Sequence, residues 1–466
     1  MSVPRTAADP FSQTPPLDPA RIFAPIDFSH QHAVMAAVSG GGDSLALLFL
    51  LKEHLCGISD APELIAVTID HGLRPDSADE AEAVARLCRS HGISHRILRW
   101  EGQKPQAGIP AAAREARYRL LVEAAREARA SFLFTGHTLD DQIETFAMRK
   151  ARGGARGLAG MAGATLLDMR VWLLRPLLNT RRNDLRAFLA ERQIEWFEDP
   201  TNENMAFERP RVRNRIADVK PPAVLEEIAE RAAVRRAQGS AVAAFFSAGR
   251  DKVQMEPGGV ARIDAGWLAE AGHDVAALAL GVVVACIGGR SFLPAEAERA
   301  RLVSHLAGEG GGPARLGLGG CIVQRGAKRH SIWREARGLP QLLLASGQSA
   351  VWDGRYRIVN TMPGGKSVRI ARPSPAEFDA FCVDRGIGRE MFYRPAALTG
   401  PALCLDGEMV DIPALTGGCF LPDGLAVMRH LALFDNVLPG HDLALANATA
   451  QLFGRTIYPE SPMLPN

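Results

Sequence analysis

From residue 33 the chain alternates short apolar runs with amphipathic stretches of helix length. Ala33–Val38, Leu64–Asp70, Ser94–Trp100, Ser131–Thr135 and Val171–Leu174 read as strands. Between them, Leu45–His54, Ala78–His91, Ala111–Arg129 and Arg181–Arg192 carry helical spacing, with Gly92 placed to end the second. Strands separated by helices imply an α/β fold with a mainly parallel, doubly wound sheet covered on both faces. At Pro221 the pattern changes. To about Leu306 the sequence is Ala-rich, strand-poor helix, clearest at Ala223–Ala237 and Trp267–Val284. The glycines of 308–312 break it. Short strands then alternate with Asp353-Gly354, Asp406-Gly407 and Asp423-Gly424, dipeptides that supply the positive φ of tight hairpins. The expected order is a flexible leader over 1–25, an α/β domain over 26–218, a helical domain over 219–310, and a small β-rich or α+β domain over 311–466.

Composition narrows this picture. A chain of 466 residues has room for roughly three domains, and 47% hydrophobic with 23% charged residues excludes general disorder. The longest apolar run, Val275–Gly289, is shorter than the roughly 20 residues that span a bilayer. The polar, Pro-rich N-terminus lacks the apolar centre of a secretory signal. The chain is therefore expected in the cytoplasm, with no membrane partner. Seven scattered cysteines contain no C-x-x-C, which argues for buried free thiols over zinc, an iron–sulfur cluster or disulfides. A net charge of +2 leaves nucleic acid open, because phosphate contacts need only a local patch.

The most informative stretch is Ser39-Gly40-Gly41-Gly42-Asp43-Ser44, between the first strand and its helix. Glycines let backbone N–H groups approach an anion, the helix N-terminus adds partial positive charge, and the two hydroxyls can donate to phosphate. It is neither a Walker A loop nor a dinucleotide fingerprint, since no Gly-Lys-Ser/Thr comes after it and Leu45 replaces the last glycine. Asp43 would repel phosphate unless a cation such as Mg²⁺ lay between them. A plain Gly-rich turn with a Ser/Asp cap is the competing interpretation.

Three further clusters lie downstream. His71 and Arg74 stand at the carboxyl end of the second strand, where open α/β sheets bind ligands, or simply cap a turn there. Arg114 and Arg117 share one helix face beside Tyr118, which a solvated face would also explain. In Gly136-His137-Thr138-Leu139-Asp140-Asp141-Gln142-Ile143-Glu144-Thr145, helical spacing stacks His137 on Asp141 and Asp140 on Glu144. Such a cluster could grip an amine or move protons. Thr138 and Asp141 alone also make an ordinary capping box, which accounts for neither His137, Asp140 nor Glu144.

The 39–44 loop resembles the pyrophosphate loop of the PP-loop ATP pyrophosphatases. Taken in order, His71–Arg74, Ala113–Tyr118, Gly136–Thr145, Arg152–Met161, Arg175–Leu178 and Glu198–Asn202 resemble the tRNA(Ile)-lysidine synthase family over about residues 33–216. The family's Arg-Asn-x-Ile-Arg signature is altered: Arg209-Pro210-Arg211-Val212-Arg213-Asn214-Arg215-Ile216 leaves open which arginine serves. The resemblance implies that ATP adenylates C2 of the wobble cytidine in tRNA(Ile) with a CAU anticodon. L-lysine then displaces AMP, giving lysidine, and reading changes from AUG to AUA. It further implies Ser39–Ser44 as the ATP site with Asp43 on Mg²⁺. Arg117, His137, Asp141 and Glu144 would line the catalytic and lysine pocket, with His71, Arg74, Arg114 and Asp140 as additional candidates. Residues beyond 219 would contact tRNA, and a homodimer is a further candidate assembly. Two rivals stand beside this: a tRNA thiolation enzyme, which typically needs paired or cluster-binding cysteines, and a non-catalytic nucleotide- or tRNA-binding module, which needs no acid cluster.

Overall fold

The computed structural model describes residues 16–73, 77–102, 104–105, 107–153, 155–198, 208–216, 221–312 and 314–463. Arg74 and residues 199–202 lie outside the described residues. Two compact units divide the chain, one of Met1–Ala232 with Glu460–Asn466 and one of Ala233–Pro459.

The first unit contains strands β1 (Ala33–Ala37), β2 (Glu63–Asp70), β3 (Ser94–Arg99), β4 (Phe132–Thr135), β5 (Ala164–Leu167) and β6 (Val171–Leu174). Its helices are α1 (Pro19–Phe23), α2 (Gly42–Cys56), α3 (Ser77–Ser90), α4 (Ile109–Glu127), α5 (Leu139–Arg152), α6 (Arg182–Glu191) and α7 (Glu208–Arg215). The strands run β5-β6-β4-β1-β2-β3. All pairs are parallel except β5–β6. The apolar runs of β1 and β4 are buried because helices cover both faces, and α2 buries Leu45–Leu51 between the sheet and α6. From β1 the chain steps outward through β2 to β3, then returns to place β4 on the other side of β1. The strand order therefore switches between β1 and β4, and a crevice opens beyond their carboxyl ends.

Two sequence expectations change here. The supposed flexible leader ends in a helix: Asp18 accepts from the Ala20 N–H at 2.9 Å, Pro19 starts α1, and Phe23 is fully buried against Phe134. Asp-Pro is a helix-start signal that the surrounding prolines obscured. Strand β5 has no alternation to betray it, because all four of its residues are buried beside β6.

Helix α8 (Pro221–Ala248) crosses the boundary between the units. The second unit then holds β7 (Val253–Glu256), β8 (Val260–Asp264), α9 (Ala265–Glu270), α10 (His273–Ile287), α11 (Glu296–Ala307), β9 (Arg315–Leu318), β10 (Cys321–Gln324) and β11 (Arg329–Arg334). The hairpin β7–β8 lies inside the stretch expected to be strand-poor helix and pairs with β11 in the sheet β7-β8-β11-β10-β9. Gly258 and Gly259, at φ 84° and 85°, make the turn that permits it. This sheet joins segments on both sides of residue 310, so the expected boundary there is not reproduced. The single helix expected over Trp267–Val284 breaks at Ala271-Gly272 into α9 and α10. Two small antiparallel sheets complete the unit, of three and four strands. Asp353-Gly354 and Asp406-Gly407 close hairpins with positive φ at both residues.

Candidate active site

Two loops, one leaving β1 and one leaving β4, line the crevice. The first is the 39–44 loop, where Gly40 has φ 82° and a Cβ would lie 2.9 Å from the Phe197 ring. No side chain caps α2, so its first N–H groups are left for a ligand. The hydroxyls of Ser39 and Ser44 lie 3.3 Å apart, and Ser44 Oγ accepts from the Ser39 N–H at 3.1 Å. The second loop begins at Gly136, whose Cβ would lie 2.6 Å from the carbonyl oxygen of Asp43. Only glycine lets the two loops touch backbone to backbone.

Three helices begin at this point, and their first turns carry the charges. Asp43 is in the first turn of α2, Asp140 and Asp141 in that of α5, and Arg182 opens α6. Arg182 Nε donates to Asp43 Oδ2 at 2.9 Å and Nη2 to Asp141 Oδ1 at 3.3 Å, while Nη1 stands 3.8 Å from Glu144 Oε1. From α7, Arg213 Nε donates to Glu144 Oε1 at 2.8 Å, and Arg209 reaches within 4.0 Å of Asp141. These two arginines are four apart and so share a helix face. The altered arginine signature therefore delivers Arg209 and Arg213 to the acid cluster.

Glu144 is only 2% exposed, and its Oε2 has no hydrogen-bond partner among the described residues. An unsatisfied carboxylate oxygen in the interior is costly, which marks a place for a donor. Burial raises the pKa of Asp43, against the opposing pull of Arg182. Burial alone would lower Arg182, but its bond to Asp43 and the charges of Asp43, Asp141 and Glu144 raise it above its usual value. One guanidinium is thus crowded by anions, while Asp43 is short of cations.

Asp141 serves both interpretations of its motif. Its Oδ2 accepts from the Thr138 N–H at 2.9 Å within the capping box, while Oδ1 faces Arg182. Asp140 turns elsewhere, accepting from the Arg182 N–H at 2.8 Å and pairing with Arg181 at 2.9 Å; it caps α6, whose own N-cap supplies no side chain. His137 Nδ1 lies 2.9 Å from Thr135 Oγ1. Burial, reinforced by the Arg175 charge, pushes its pKa down to about 4, so the ring is neutral near pH 7. His71 is likewise held near 4 by burial and by Arg117, whose Nη2 lies 3.1 Å from its Nε2. Arg114 lies over the Tyr118 ring at 4.9 Å. The structure thus gathers Asp43, Asp141 and Glu144 on Arg182, and separately pairs His71 with Arg117. Sequence reasoning missed Arg182 and the Trp196-Phe197 segment, whose Phe197 N–H donates to the Gly40 carbonyl at 2.9 Å.

No group of three His, Cys, Asp or Glu residues arranged to hold a metal occurs among the described residues. Cys88, Cys286, Cys321, Cys382 and Cys404 are buried, and Cys56 and Cys419 are exposed. No described helix is long and apolar enough to cross a membrane.

An open, mainly parallel sheet with a glycine cradle at its switch point and no Walker lysine defines a PP-loop nucleotide-binding domain. The family model described as "ATP_bind_3: PP-loop domain" matches residues 18–220. Two relatives, each named tRNA(Ile)-lysidine synthase, from Brucella canis and Brucella ovis, are 45% identical over 445 residues, covering 94% of this chain and 98% of theirs. This chain belongs to the tRNA(Ile)-lysidine synthase family. A solved structure, the U34-tRNA thiolase NcsA from Methanococcus maripaludis with its 4Fe-4S cluster, is similar at 19% identity and a TM-score of 0.40, covering 46% of this chain and 76% of that one.

Proposed function

We propose that this protein uses ATP to join L-lysine to C2 of the wobble cytidine in tRNA(Ile) with a CAU anticodon. The C2 oxygen attacks the α-phosphorus and pyrophosphate leaves; lysine's amine then attacks C2 and AMP leaves. The codon read changes from AUG to AUA. The observation that carries this reading is the buried Glu144 Oε2, without a hydrogen-bond partner among the described residues, beside the loop that would hold ATP. A carboxylate pair is what an ammonium substrate calls for, and a capping box alone does not need it.

In this reading Ser39–Ser44 cradle the phosphates through backbone N–H groups and hydroxyls. Asp43 fits a single-carboxylate Mg²⁺ ligand: Oδ2 faces Arg182, Oδ1 takes no hydrogen bond among the described residues, and phosphates and water would complete the shell. When bound, the ion would neutralise charge on the departing pyrophosphate. Asp141 and Glu144 hold the lysine ammonium. His137, whose ring stays neutral near pH 7, adds no positive charge to repel the ammonium. Arg117 supplies positive charge near the developing adenylate, with His71 and Arg114 as its neighbours. The ATP and lysine groups all belong to the first unit, which leaves the second, with α8, to grip the RNA.

The test is mass spectrometry of CAU-anticodon tRNA(Ile) after incubation with protein, ATP, Mg²⁺ and lysine. Lysidine, AMP and pyrophosphate are expected. Production of ADP and phosphate, or a modified tRNA that needs no lysine, would overturn the reading.

A further inference from the structure

Arg182 lies among the carboxylates assigned above to both incoming cations. Its guanidinium hydrogen-bonds Asp43, the proposed Mg²⁺ ligand on the ATP loop, and Asp141 on α5, and stands within ion-pair distance of Glu144, Asp141's partner in the proposed lysine site. Arg209 and Arg213 differ from it, since each reaches one carboxylate and both are about half exposed. Arg182 is 19% exposed and spans all three. It is the shared counter-ion.

An ammonium entering this cluster meets carboxylates already neutralised by a nearby cation, so little attraction is left for it. Nucleotide changes that balance. It brings negative phosphates to the loop that carries Asp43, and a guanidinium is well suited to bind them. The backbone of Arg182 is pinned, because Asp140 accepts from its N–H at 2.8 Å and holds Arg181 with the other oxygen. Only the side chain is free to change partners. Glu144 Oε2, buried and without a donor among the described residues, is the acceptor that remains open for the ammonium.

Resting on the lysine-ligation reading, we propose that Arg182 couples the two substrate sites. In the free protein it shields the acid cluster. When Mg²⁺ and ATP bind, its guanidinium turns from the carboxylates to phosphate and opens the cluster to lysine. ATP and lysine therefore bind with positive cooperativity, and by linkage each strengthens the other equally. Arg182 is a positioning residue in this scheme, acting on lysine through the carboxylates it covers or releases.

Equilibrium dialysis of labelled L-lysine against the full chain tests this, with and without Mg²⁺ and α,β-methylene-ATP, which cannot release pyrophosphate. In the unaltered protein the analogue is expected to tighten lysine binding about tenfold or more. In Arg182→Gln the coupling should shrink to about threefold or less, chiefly because lysine binds better without nucleotide. Arg182→Lys keeps the positive charge if the Gln variant does not fold. One ammonium cannot span three carboxylates, so that variant should also lose most of the coupling. Undiminished coupling in a folded Arg182→Lys, or none in the unaltered protein, would overturn the proposal. If lysine binds in neither condition while the analogue does bind, the lysine-site reading fails with it. Equal lysine binding in both conditions removes the coupling alone.

Discussion

Two buried acid centres in this chain are built in opposite ways. In the first unit, Asp43, Asp141 and Glu144 crowd onto Arg182, and one oxygen of Glu144 has no partner among the described residues. In the second, fully buried Asp435 is surrounded by donors. Arg455 Nη1 donates at 2.7 Å, Tyr458 Oη at 2.5 Å and the Leu431 N–H at 2.8 Å. Burial by itself would raise Asp435, yet these donors hold it near pKa 2. Burial raises Asp43, which has no such surplus. Both centres are interior carboxylates. They are separated by the count of donors: a carboxylate well supplied with them fastens the fold, and one left short is a candidate for a ligand.

The comparison breaks most visibly at Asp435. Asp435→Ala would remove the acceptor that Arg455 Nη1, Tyr458 Oη and the Leu431 N–H share, at a cost of about 3–5 kcal/mol to the second unit. Hydrogen exchange over residues 425–458 should accelerate sharply, while β1 and β4 keep their protection. Equal loss in both units would mean that the node does more than fasten its own surroundings.

Glu144→Gln is the counterpart in the first unit. Lysidine formation should fall by about 10²-fold or more, with melting temperature and ATP binding retained. Glu144 lies outside the capping box, so it has no cap to lose. Near-normal lysidine formation would return the cluster to a purely structural role.

Acid sharpens the contrast by sign. Asp435 has a folded pKa near 2, below an unfolded value of about 3.9. Its stabilisation, about 2 kcal/mol, is complete above the unfolded pKa and is lost as pH falls from about 4 through 2. Asp43 is shifted upward, so its ionisation opposes folding and protonation relieves that cost. Denaturant unfolding between pH 5 and 2 should show this loss in the unaltered chain and a flatter profile in Asp435→Asn.

The smallest effect is expected at sulfur. Burial pushes Cys286 and Cys321 up to about 12, so neither is a thiolate near neutral pH. Replacing the exposed Cys56 and Cys419 together by serine should leave turnover within about twofold. Loss of turnover in a folded double variant would favour the sulfur-transfer alternative.

Much of the first unit was legible, because strand, loop and helix recur there with clear periodicity. The loop 39–44 and the 136–145 segment announced themselves, since each packs several unusual residues into one turn. Arg182 did not. It is one arginine of the Arg181-Arg182 pair, and its partners Asp43 and Asp141 lie 139 and 41 positions away. Only the return of β4 to the side of β1 brings those positions together. The β7–β8 hairpin was hidden differently: its strands are four and five residues long, inside an Ala-rich region where helical propensity dominates. Phe23 shows the same limit, as nothing local states that a single aromatic after a Pro-rich stretch will be buried.

Gly136 carries one more consequence. Its missing side chain lets the end of β4 rest on the carbonyl of Asp43 with no rotamer between them. A joint without a rotamer has no soft degree of freedom to absorb a displacement. The glycine cradle and the start of α5 are therefore fixed in register by a backbone contact rather than by side chains. A side chain at residue 136 would therefore separate the 39–44 loop from the helix that carries Glu144, and with it any ligand the two were to hold in common.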